Sequence, residues 1–181
     1  MIFTETILKG SYEITLTPHS DSRGWFARSY CKQEFKEIGH QKEWVQLNHS
    51  HSIQKGTLRG MHFQLAPFAE IKMLRCIAGS VYDVIIDLRK DSTTFLKWFG
   101  TELSAQNKKM LYIPVGFAHG FQTLTDDVEL IYHHTQFYTP LAEAGIRYND
   151  TTINIAWPLA VSEISKRDAH HPLIDSTFKG L

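Results

Sequence analysis

The stretch VYDVIIDL, residues 81–88, ends Glu70–Leu88, the longest strand-like segment of this sequence. Its β-branched and aromatic side chains favour an extended conformation, because they pack well on a pleated surface. Gly79 and Ser80 interrupt the segment, and small turn-forming residues at such a break are typical of a hairpin. The sequence therefore predicts two paired strands at the centre of a β fold.

Alternating apolar and polar residues continue on both sides of this segment. The further strands that we predict are Ser11–Thr17, Trp25–Tyr30, Trp44–Ser52, Thr57–Gln64, Leu96–Leu103, Lys109–Ile113, Phe121–Thr125, Val128–Phe137 and Gly145–Tyr148. Helical patterns are short: Lys32–Ile38 would end at Gly39, and Val161–Asp168 would hold one more turn. Many short strands separated by turns are typical of a sandwich, jelly roll or barrel. No repeat or linker interrupts the pattern, so residues 1–181 are predicted to form one domain.

Composition limits the classes of partner. Nineteen Lys and Arg balance nineteen Asp and Glu, so no global field would attract nucleic acid or anionic lipid. Cys31 and Cys76 are the only cysteines, which excludes a disulfide framework and suits a reducing compartment. Residues 1–14 lack the apolar stretch of a signal peptide, and no segment reaches the roughly 18–20 apolar residues of a membrane helix. We expect a cytoplasmic protein that binds neither nucleic acid nor membrane.

Three stretches contain polar residues that a β core does not require. They are Arg59–Gln64 (RGMHFQ), Glu70–Leu74 (EIKML) and Ile113–Phe121 (IPVGFAHGF). In an extended strand His62 and Gln64 project from one face, and Glu70 and Lys72 share a face in the same way. The third stretch presents His119 after a turn that contains proline and glycine.

These stretches together resemble the two halves of a cupin motif. In metal-binding cupins, the resemblance implies, the first half supplies His-x-His and a later Glu, and the second half supplies a Pro-x-Gly-x-x-His turn. Pro114, Gly116 and His119 match the second half, whereas in the first half Gln64 replaces a His and Lys72 replaces the Glu. The fold implied is an all-β, cupin-type jelly roll (a double-stranded β-helix barrel) with a few short helices.

Lys72 argues against a metal at this position. An ammonium group repels a divalent cation, whereas iron and zinc favour neutral histidines and carboxylates. A fixed cation instead stabilises negative charge that develops on a substrate, such as an enolate oxygen. We therefore predict no metal and no other cofactor. The metal-dependent alternative, a cupin dioxygenase or isomerase, would use His62, Gln64, Glu70 and His119.

Further motifs occur along almost the whole chain. They are 21–26 (DSRGWF), 46–52 (QLNHSHS), 58–64 (LRGMHFQ), 83–92, 113–121, Tyr132, 138–140 with Glu143, 149–150, 157–158 and 165–168 (SKRD). In this order and spacing they resemble the dTDP-4-dehydrorhamnose 3,5-epimerase family. The resemblance implies an isomerase that inverts carbon 3, carbon 5 or both of a nucleoside-diphosphate 4-keto-6-deoxy sugar. The expected conversion is dTDP-4-dehydro-6-deoxy-D-glucose to dTDP-4-dehydro-L-rhamnose, by a homodimer with exchanged N-terminal strands.

The resemblance also implies residue roles. The proton-transfer set is His62 as base, Asp168 as its orienting partner, Lys72 beside the enolate oxygen and Tyr132 as acid. A cation such as Lys72 would ease the ionisation of Tyr132. His119, paired with Asp83, would contact substrate or support the site. The binding residues implied are Arg23, Phe26, Gln46, Asn48, Arg59, Tyr138, Glu143 and Arg167. Arginines in this set suit a diphosphate, because a guanidinium donates forked hydrogen bonds.

Arg28 leaves the nucleotide open. Members of the family commonly have Glu at this position, where its carboxylate accepts a hydrogen bond from thymine. Arg28 can only donate and would suit a base such as cytosine, so a mono-epimerase on a CDP-linked sugar is one alternative. A sugar-binding cupin without catalysis is another, although it would not need Tyr132 opposite His62.

The remaining histidines are interpreted as surface residues. His49 and His51 alternate on one strand and would face solvent. The neighbouring pairs His133–His134 and His170–His171 would point to opposite faces of any strand, so neither pair predicts a site.

Overall fold

The computed structural model describes all 181 residues, most of them in or between short strands. The strands are β1 (Ile2–Glu5), β2 (Tyr12–Thr15), β3 (His19–Asp21), β4 (Gly24–Phe26), β5 (Gln46–Ser52), β6 (Thr57–Gln64), β7 (Lys72–Ala78), β8 (Ser80–Asp87), β9 (Trp98–Ser104), β10 (Lys109–Ile113), β11 (Phe117–Thr123), β12 (Val128–His134), β13 (Glu143–Gly145) and β14 (Glu163–Ile164). The helices are α1 (Lys32–Phe35) and α2 (Lys166–Ala169), and 3₁₀ turns lie at Lys36–Ile38 and Pro140–Ala142. None of the helices is long and apolar enough to cross a membrane.

Two packed sheets carry most of the chain. The first sheet has the strand order β1-β2-β10-β7-β12-β5, and the second has the order β13-β6-β11-β8-β9, with β14 beside β6. Neighbouring strands are antiparallel, except that β14 runs parallel to β6. Leu74 and Leu130 from the first sheet meet Ile85 and Phe121 from the second in a buried core. This two-layer arrangement agrees with the predicted all-β jelly roll.

The hairpin predicted at Gly79 is wrong. β7 pairs with β10 and β12 in the first sheet, whereas β8 pairs with β9 and β11 in the second. Gly79 has a φ of 68°, and a Cβ atom there would lie 2.5 Å from Thr125 Oγ1. Only glycine fits this corner, where the chain leaves one sheet for the other. The apolar pattern of the two arms is the same for a corner as for a hairpin, because each arm is buried in its own sheet.

Several element boundaries also differ from the sequence prediction, because cross-strand partners decide where a ladder ends. The predicted strand at Gly145–Tyr148 lies instead at Glu143–Gly145, β4 ends at Phe26, β9 begins at Trp98, β11 begins at Phe117 and β12 ends at His134. β1 and β3 had no predicted counterpart. The helical segment Lys32–Ile38 is confirmed as α1 and a 3₁₀ turn, and Gly39 ends it with a φ of 78°. The predicted C-terminal turn corresponds to α2.

Two glycines let the strands of the second sheet approach each other beside the site. His62 on β6 lies opposite His119 on β11, and the register shifts just after this pair. A Cβ atom on Gly60 would lie 2.5 Å from the Cα atom of Gly120. Since any side chain would separate these backbones, the absence of a Cβ is what allows the two histidines to share one end of the sheet.

The first sheet brings a second set of polar residues to the same end. Tyr132 on β12 lies opposite Asn48 on β5, and His134 lies opposite Lys72 at the start of β7. Opposite residues on neighbouring antiparallel strands project to the same face. The two sheets thus each supply one wall of a cavity.

Candidate active site

One cavity of about 510 Å³ lies between the two walls. The predicted site residues that line it are Gln46, Asn48, Arg59, His62, Lys72, His119, Tyr132, Tyr138, Glu143, Arg167 and Asp168. A cavity of this size suits a small-molecule ligand, and convergent polar groups are typical of a catalytic or binding site. Most of the residues chosen from the sequence are therefore brought together.

His62 and Asp168 form a hydrogen-bonded pair at the second sheet. His62 Nε2 lies 2.9 Å from Asp168 Oδ1, and the backbone N–H of Gly60 donates to Asp168 Oδ2 at 3.1 Å. Burial alone would raise the pKa of Asp168, but the hydrogen bonds from His62 and Gly60 outweigh it and hold the pKa well below its usual range. An ionised Asp168 fixes the proton of neutral His62 on Nε2, which leaves Nδ1 free to accept a proton.

The turn that carries Asp168 is held by its own cap. Ser165 precedes α2, and its Oγ accepts a hydrogen bond from the backbone N–H of Asp168 at 3.0 Å. A serine at this position satisfies a backbone donor that the helix start leaves free. The short helix therefore presents the carboxylate towards β6 in a fixed orientation.

Tyr132 lies on the first sheet, so the two groups proposed for proton transfer are on opposite walls. Its hydroxyl lies 3.1 Å from Ser50 Oγ. Burial raises the pKa of Tyr132, and the Ser50 hydrogen bond and the charge of Arg59 offset this only in part. The phenol is therefore protonated at neutral pH, as a proton donor must be. A neighbouring cation does favour ionisation, as expected, but Arg59 is the cation that acts here, and burial outweighs it.

His119 and Asp83 form a second buried pair, as predicted. His119 Nε2 lies 3.0 and 3.1 Å from the two carboxylate oxygens of Asp83, which has no exposed surface. Burial raises the pKa of Asp83, and His119 partly offsets the rise. Because the carboxylate holds one ring nitrogen, the histidine presents a defined edge to the cavity.

A series of contacts joins the predicted binding residues to the His62–Asp168 pair. The Tyr138 hydroxyl donates to Glu143 Oε2 at 2.7 Å, and Arg167 Nη1 donates to the same oxygen at 2.7 Å. Arg167 Nε lies 3.4 Å from Asp168 Oδ1. These contacts fix the orientation of Arg167 beside the cavity, where its charge would attract an anionic ligand.

Three predicted binding residues do not line the cavity of this chain. Arg23 is exposed and pairs with Asp21 at 2.6 Å. Phe26 is 75% exposed, on the hairpin that β3 and β4 form. Arg28 pairs with Glu34 at 2.7 Å, so its guanidinium is engaged at the surface.

Four residues of the cavity region were missed or misread from the sequence. Ser50 contacts Tyr132, and Glu70 and His134 contact each other at 2.7 Å.

His171, interpreted as a surface residue, has an 11% exposed side chain, and its Nε2 lies 3.7 Å from Asp168 Oδ1. Burial and the neighbouring His62 lower the pKa of His171, which favours the neutral ring. The surface interpretation of both histidine pairs is therefore wrong for His134 and His171, whereas His49 and His51 are exposed as predicted.

The ligand set of the metal-dependent alternative is engaged in other contacts. The Gln64 amide donates to the carbonyl oxygens of Phe68 and Phe137 and accepts from the backbone N–H of Thr139. Glu70 contacts Lys72, whose ammonium group lies 3.2 Å away. A carboxylate that already faces a cation is a poor metal ligand.

The sequence is similar to those of proteins of known family over almost its whole length. The sequence model of the dTDP-4-dehydrorhamnose 3,5-epimerases matches residues 5–176. The chain belongs to this family. A dTDP-4-dehydrorhamnose 3,5-epimerase from Salmonella typhimurium is 48% identical over 160 residues, which cover 87% of each chain.

Solved structures of dTDP-4-dehydrorhamnose 3,5-epimerases confirm the jelly roll. The Bacillus anthracis structure, which has TDP and PPi bound, superposes with a TM-score of 0.93 at 38% identity, over 96% of this chain and 99% of that chain. The Legionella pneumophila structure, in complex with dTDP-4-keto-L-rhamnose, gives a TM-score of 0.90 at 37% identity, over 95% of this chain and 92% of that chain. The cupin-type fold expected from the motif halves is therefore the fold of this epimerase family.

Proposed function

We propose that this chain is an isomerase that inverts carbon 3 and carbon 5 of a dTDP-linked 4-keto-6-deoxy sugar, giving dTDP-4-dehydro-L-rhamnose. The observation that carries the proposal is the placement of His62, paired with Asp168, and the protonated Tyr132 on opposite walls of one cavity. Inversion next to a ketone needs a base on one face of the sugar and an acid on the other.

The reaction moves protons and leaves the oxidation state of the sugar unchanged. His62 Nδ1 removes the proton from the carbon next to the ketone, and the C–H electron pair moves into an enolate. Lys72 stabilises the negative charge on the enolate oxygen, and Asp168 stabilises the imidazolium that forms. Tyr132 then protonates the carbon from the opposite face, which inverts the centre. Because no electrons are exchanged with another group, this sequence of steps needs no cofactor.

Two arginines at the cavity, Arg59 and Arg167, bind the diphosphate. Arg59 Nε donates to Ser52 Oγ at 3.1 Å, which holds its side chain along β6, and Arg167 is held by Glu143. A guanidinium fixed in this way presents its other donors to phosphate oxygens with little loss of freedom. His119 contacts the sugar from the wall that carries His62.

The active form that we propose is a homodimer in the cytoplasm. Arg23 and Phe26 lie on an exposed hairpin of the N-terminal region, so they reach a nucleotide only if that region meets the cavity of a second copy. β1 forms the edge of the first sheet, where backbone groups are free to pair with another chain. Within one chain β1 pairs with β2, so strand exchange would extend or replace this pairing.

Proton NMR of dTDP-4-keto-6-deoxyglucose in D₂O tests the proposal. The wild-type protein should introduce deuterium at carbons 3 and 5, and His62→Ala should abolish both signals. Tyr132→Phe should retain affinity for the nucleotide sugar but lose inversion. A binding protein without catalysis would show no inversion to lose. Label at one carbon only would identify a mono-epimerase. Exchange with a CDP-linked sugar in preference to the dTDP-linked one would overturn the assignment of the nucleotide.

A further inference from the structure

A buried carboxylate behind Lys72 has no part in the steps described above. Glu70 Oε1 lies 3.2 Å from Lys72 Nζ, and Glu70 Oε2 lies 2.7 Å from His134 Nδ1. The exposed fractions of the side chains are 7% for Glu70, 11% for His134 and 14% for Lys72. Each oxygen of Glu70 therefore binds a separate partner in a region where water does not readily replace either one.

The partners of His134 determine where its ring carries the proton. Burial raises the pKa of Glu70, but His134 and Lys72 outweigh it and lower the pKa, so Glu70 is a carboxylate that only accepts. His134 Nδ1 must then donate. The other ring nitrogen, Nε2, lies 3.3 Å from Asn48 Nδ2, which is an amide donor. A ring that carries its proton on Nδ1 and leaves Nε2 unprotonated satisfies both contacts.

Hydrogen bonds in the same series also orient the side-chain amides of two predicted binding residues, Asn48 and Gln46. Asn48 Oδ1 accepts from Gln46 Nε2 at 3.2 Å, and Gln46 Oε1 accepts from the backbone N–H of Tyr138 at 3.1 Å. Every donor and acceptor in this series is therefore assigned, beginning at the Glu70 carboxylate. Moving the His134 proton to Nε2 would reverse the amide of Asn48 and then that of Gln46. The Gln46 amide nitrogen would then face the Tyr138 N–H, and water would have to replace the lost acceptor, since these contacts are exposed.

We propose that Glu70 and His134 are positioning residues, which fix the ammonium group of Lys72 at the cavity wall and orient the amides of Asn48 and Gln46 for the substrate. This inference rests on the proposed role of Lys72 in the epimerase reaction. Glu70 acts on the chemistry only through Lys72, and His134 acts through Glu70 and Asn48. Both differ in this respect from His62 and Tyr132, which touch the reacting carbon.

Nitrogen NMR of the histidine rings tests the proton assignment on the unmodified protein. Long-range ¹H–¹⁵N spectra separate a protonated from an unprotonated ring nitrogen, and the His134 signals are those missing from His134→Gln. We expect a protonated Nδ1 and an unprotonated Nε2 at neutral pH. In Glu70→Gln the new amide can donate to Nδ1, so the proton should move to Nε2. A wild-type ring with its proton on Nε2 would overturn the inference without any need for an active variant.

Kinetics in a double-mutant cycle test the action through Lys72. Glu70→Gln should lower kcat about 10- to 100-fold, the loss expected for one hydrogen bond to a charged group, with KM changed less than about threefold. In a Lys72→Met background the same change should lower kcat less than it does in the wild type, because the ammonium partner is already absent and only the route through His134 and Asn48 remains. Equal losses in both backgrounds would show that Glu70 does not act through Lys72 and would contradict that role of Glu70 in the proposal.

Glu129→Gln is the matched control for these measurements. Glu129 is on β12 with His134 and forms a similar pair with His49 at 2.9 Å, but the two side chains are 39% and 56% exposed, far more than those of the Glu70 pair. It should leave kcat unchanged. The two proposals fail differently: a folded wild-type protein that exchanges no deuterium would overturn the epimerase function, whereas an active wild type with an additive Glu70→Gln penalty would overturn only the positioning role.

Discussion

Replacing Asp168 by asparagine tests the proposed base directly, because the change removes one charge and almost no volume. The carboxylate lies 2.9 Å from His62 Nε2 and its side chain is 4% exposed. Coulomb's law with an effective dielectric constant of about 20 gives roughly 6 kcal/mol for two full charges at this distance. In the transition state the imidazole carries only part of its charge, and an asparagine oxygen can still accept a hydrogen bond. About half of the energy is then lost, roughly 3 kcal/mol, which lowers kcat about 100-fold.

The orientation of the new amide can increase this loss. If its nitrogen faces His62 Nε2, the ring proton must move to Nδ1, the nitrogen that accepts the substrate proton. A histidine base held in the wrong tautomer can lose up to about 10⁴-fold in kcat. We therefore expect kcat for Asp168→Asn between these limits, with KM within a few-fold of wild type because the carboxylate acts on the reaction through His62.

The assay is the rate of deuterium entry at carbons 3 and 5 under single-turnover conditions. Asp127→Asn is the control, since Asp127 forms a solvent-exposed pair with His51 at 3.2 Å. It should exchange at the wild-type rate. An Asp168→Asn protein that is folded and exchanges deuterium within about threefold of wild type would refute the assignment of His62 and Asp168 as the base pair.

Three further predictions concern the acid, the C-terminal histidine and the response to low pH. Tyr132→Phe should lower inversion at least about 100-fold while isothermal titration shows unchanged affinity for dTDP, and a fall in affinity of the same size would argue for a binding role instead. Gly145→Ala would place a Cβ atom 2.5 Å from the ring of His171. We therefore expect the free energy of unfolding, measured in urea, to fall by about 1–3 kcal/mol. Adding His171→Ala removes the clash and should restore most of this loss. The fully buried Asp87 has a pKa of about 2, because hydrogen bonds from Arg89, Ser92 and Thr94 outweigh burial. A pKa below the unfolded value stabilises the fold above about pH 4, so the free energy of unfolding should lose roughly 2–3 kcal/mol as the pH falls to about 2, and this loss should be absent in Asp87→Asn.

Strand periodicity made the architecture predictable, but not the way in which the strands pair. The alternating segments identified most strands, because half-buried strands must alternate. Periodicity contains no information about which strand lies beside which. The corner at Gly79 was therefore misread as a hairpin, although its two arms belong to different sheets.

The cavity residues that were missed fall into two groups. Ser50 and His134 could have been found from strand parity, since Ser50 is two residues from Asn48 and His134 is two residues from Tyr132. His171 could not, because it lies in an irregular segment that packs against Asp168, behind the cavity, only after the chain has folded. Its burial results from contacts with Gly145 and with the ring of His62, both of which are distant from it in the sequence.

The proposed acid and base lie on different sheets. The distance between them is therefore set by the hydrophobic core that holds the two sheets apart. Tyr132 packs against a cluster that includes Leu74 from its own sheet and Phe121 from the opposite one. A smaller side chain in this cluster would let the sheets move closer together, and a larger one would force them apart, without touching any polar group. Substrate tolerance of this fold can thus be altered by apolar substitutions that no alignment of catalytic residues would single out.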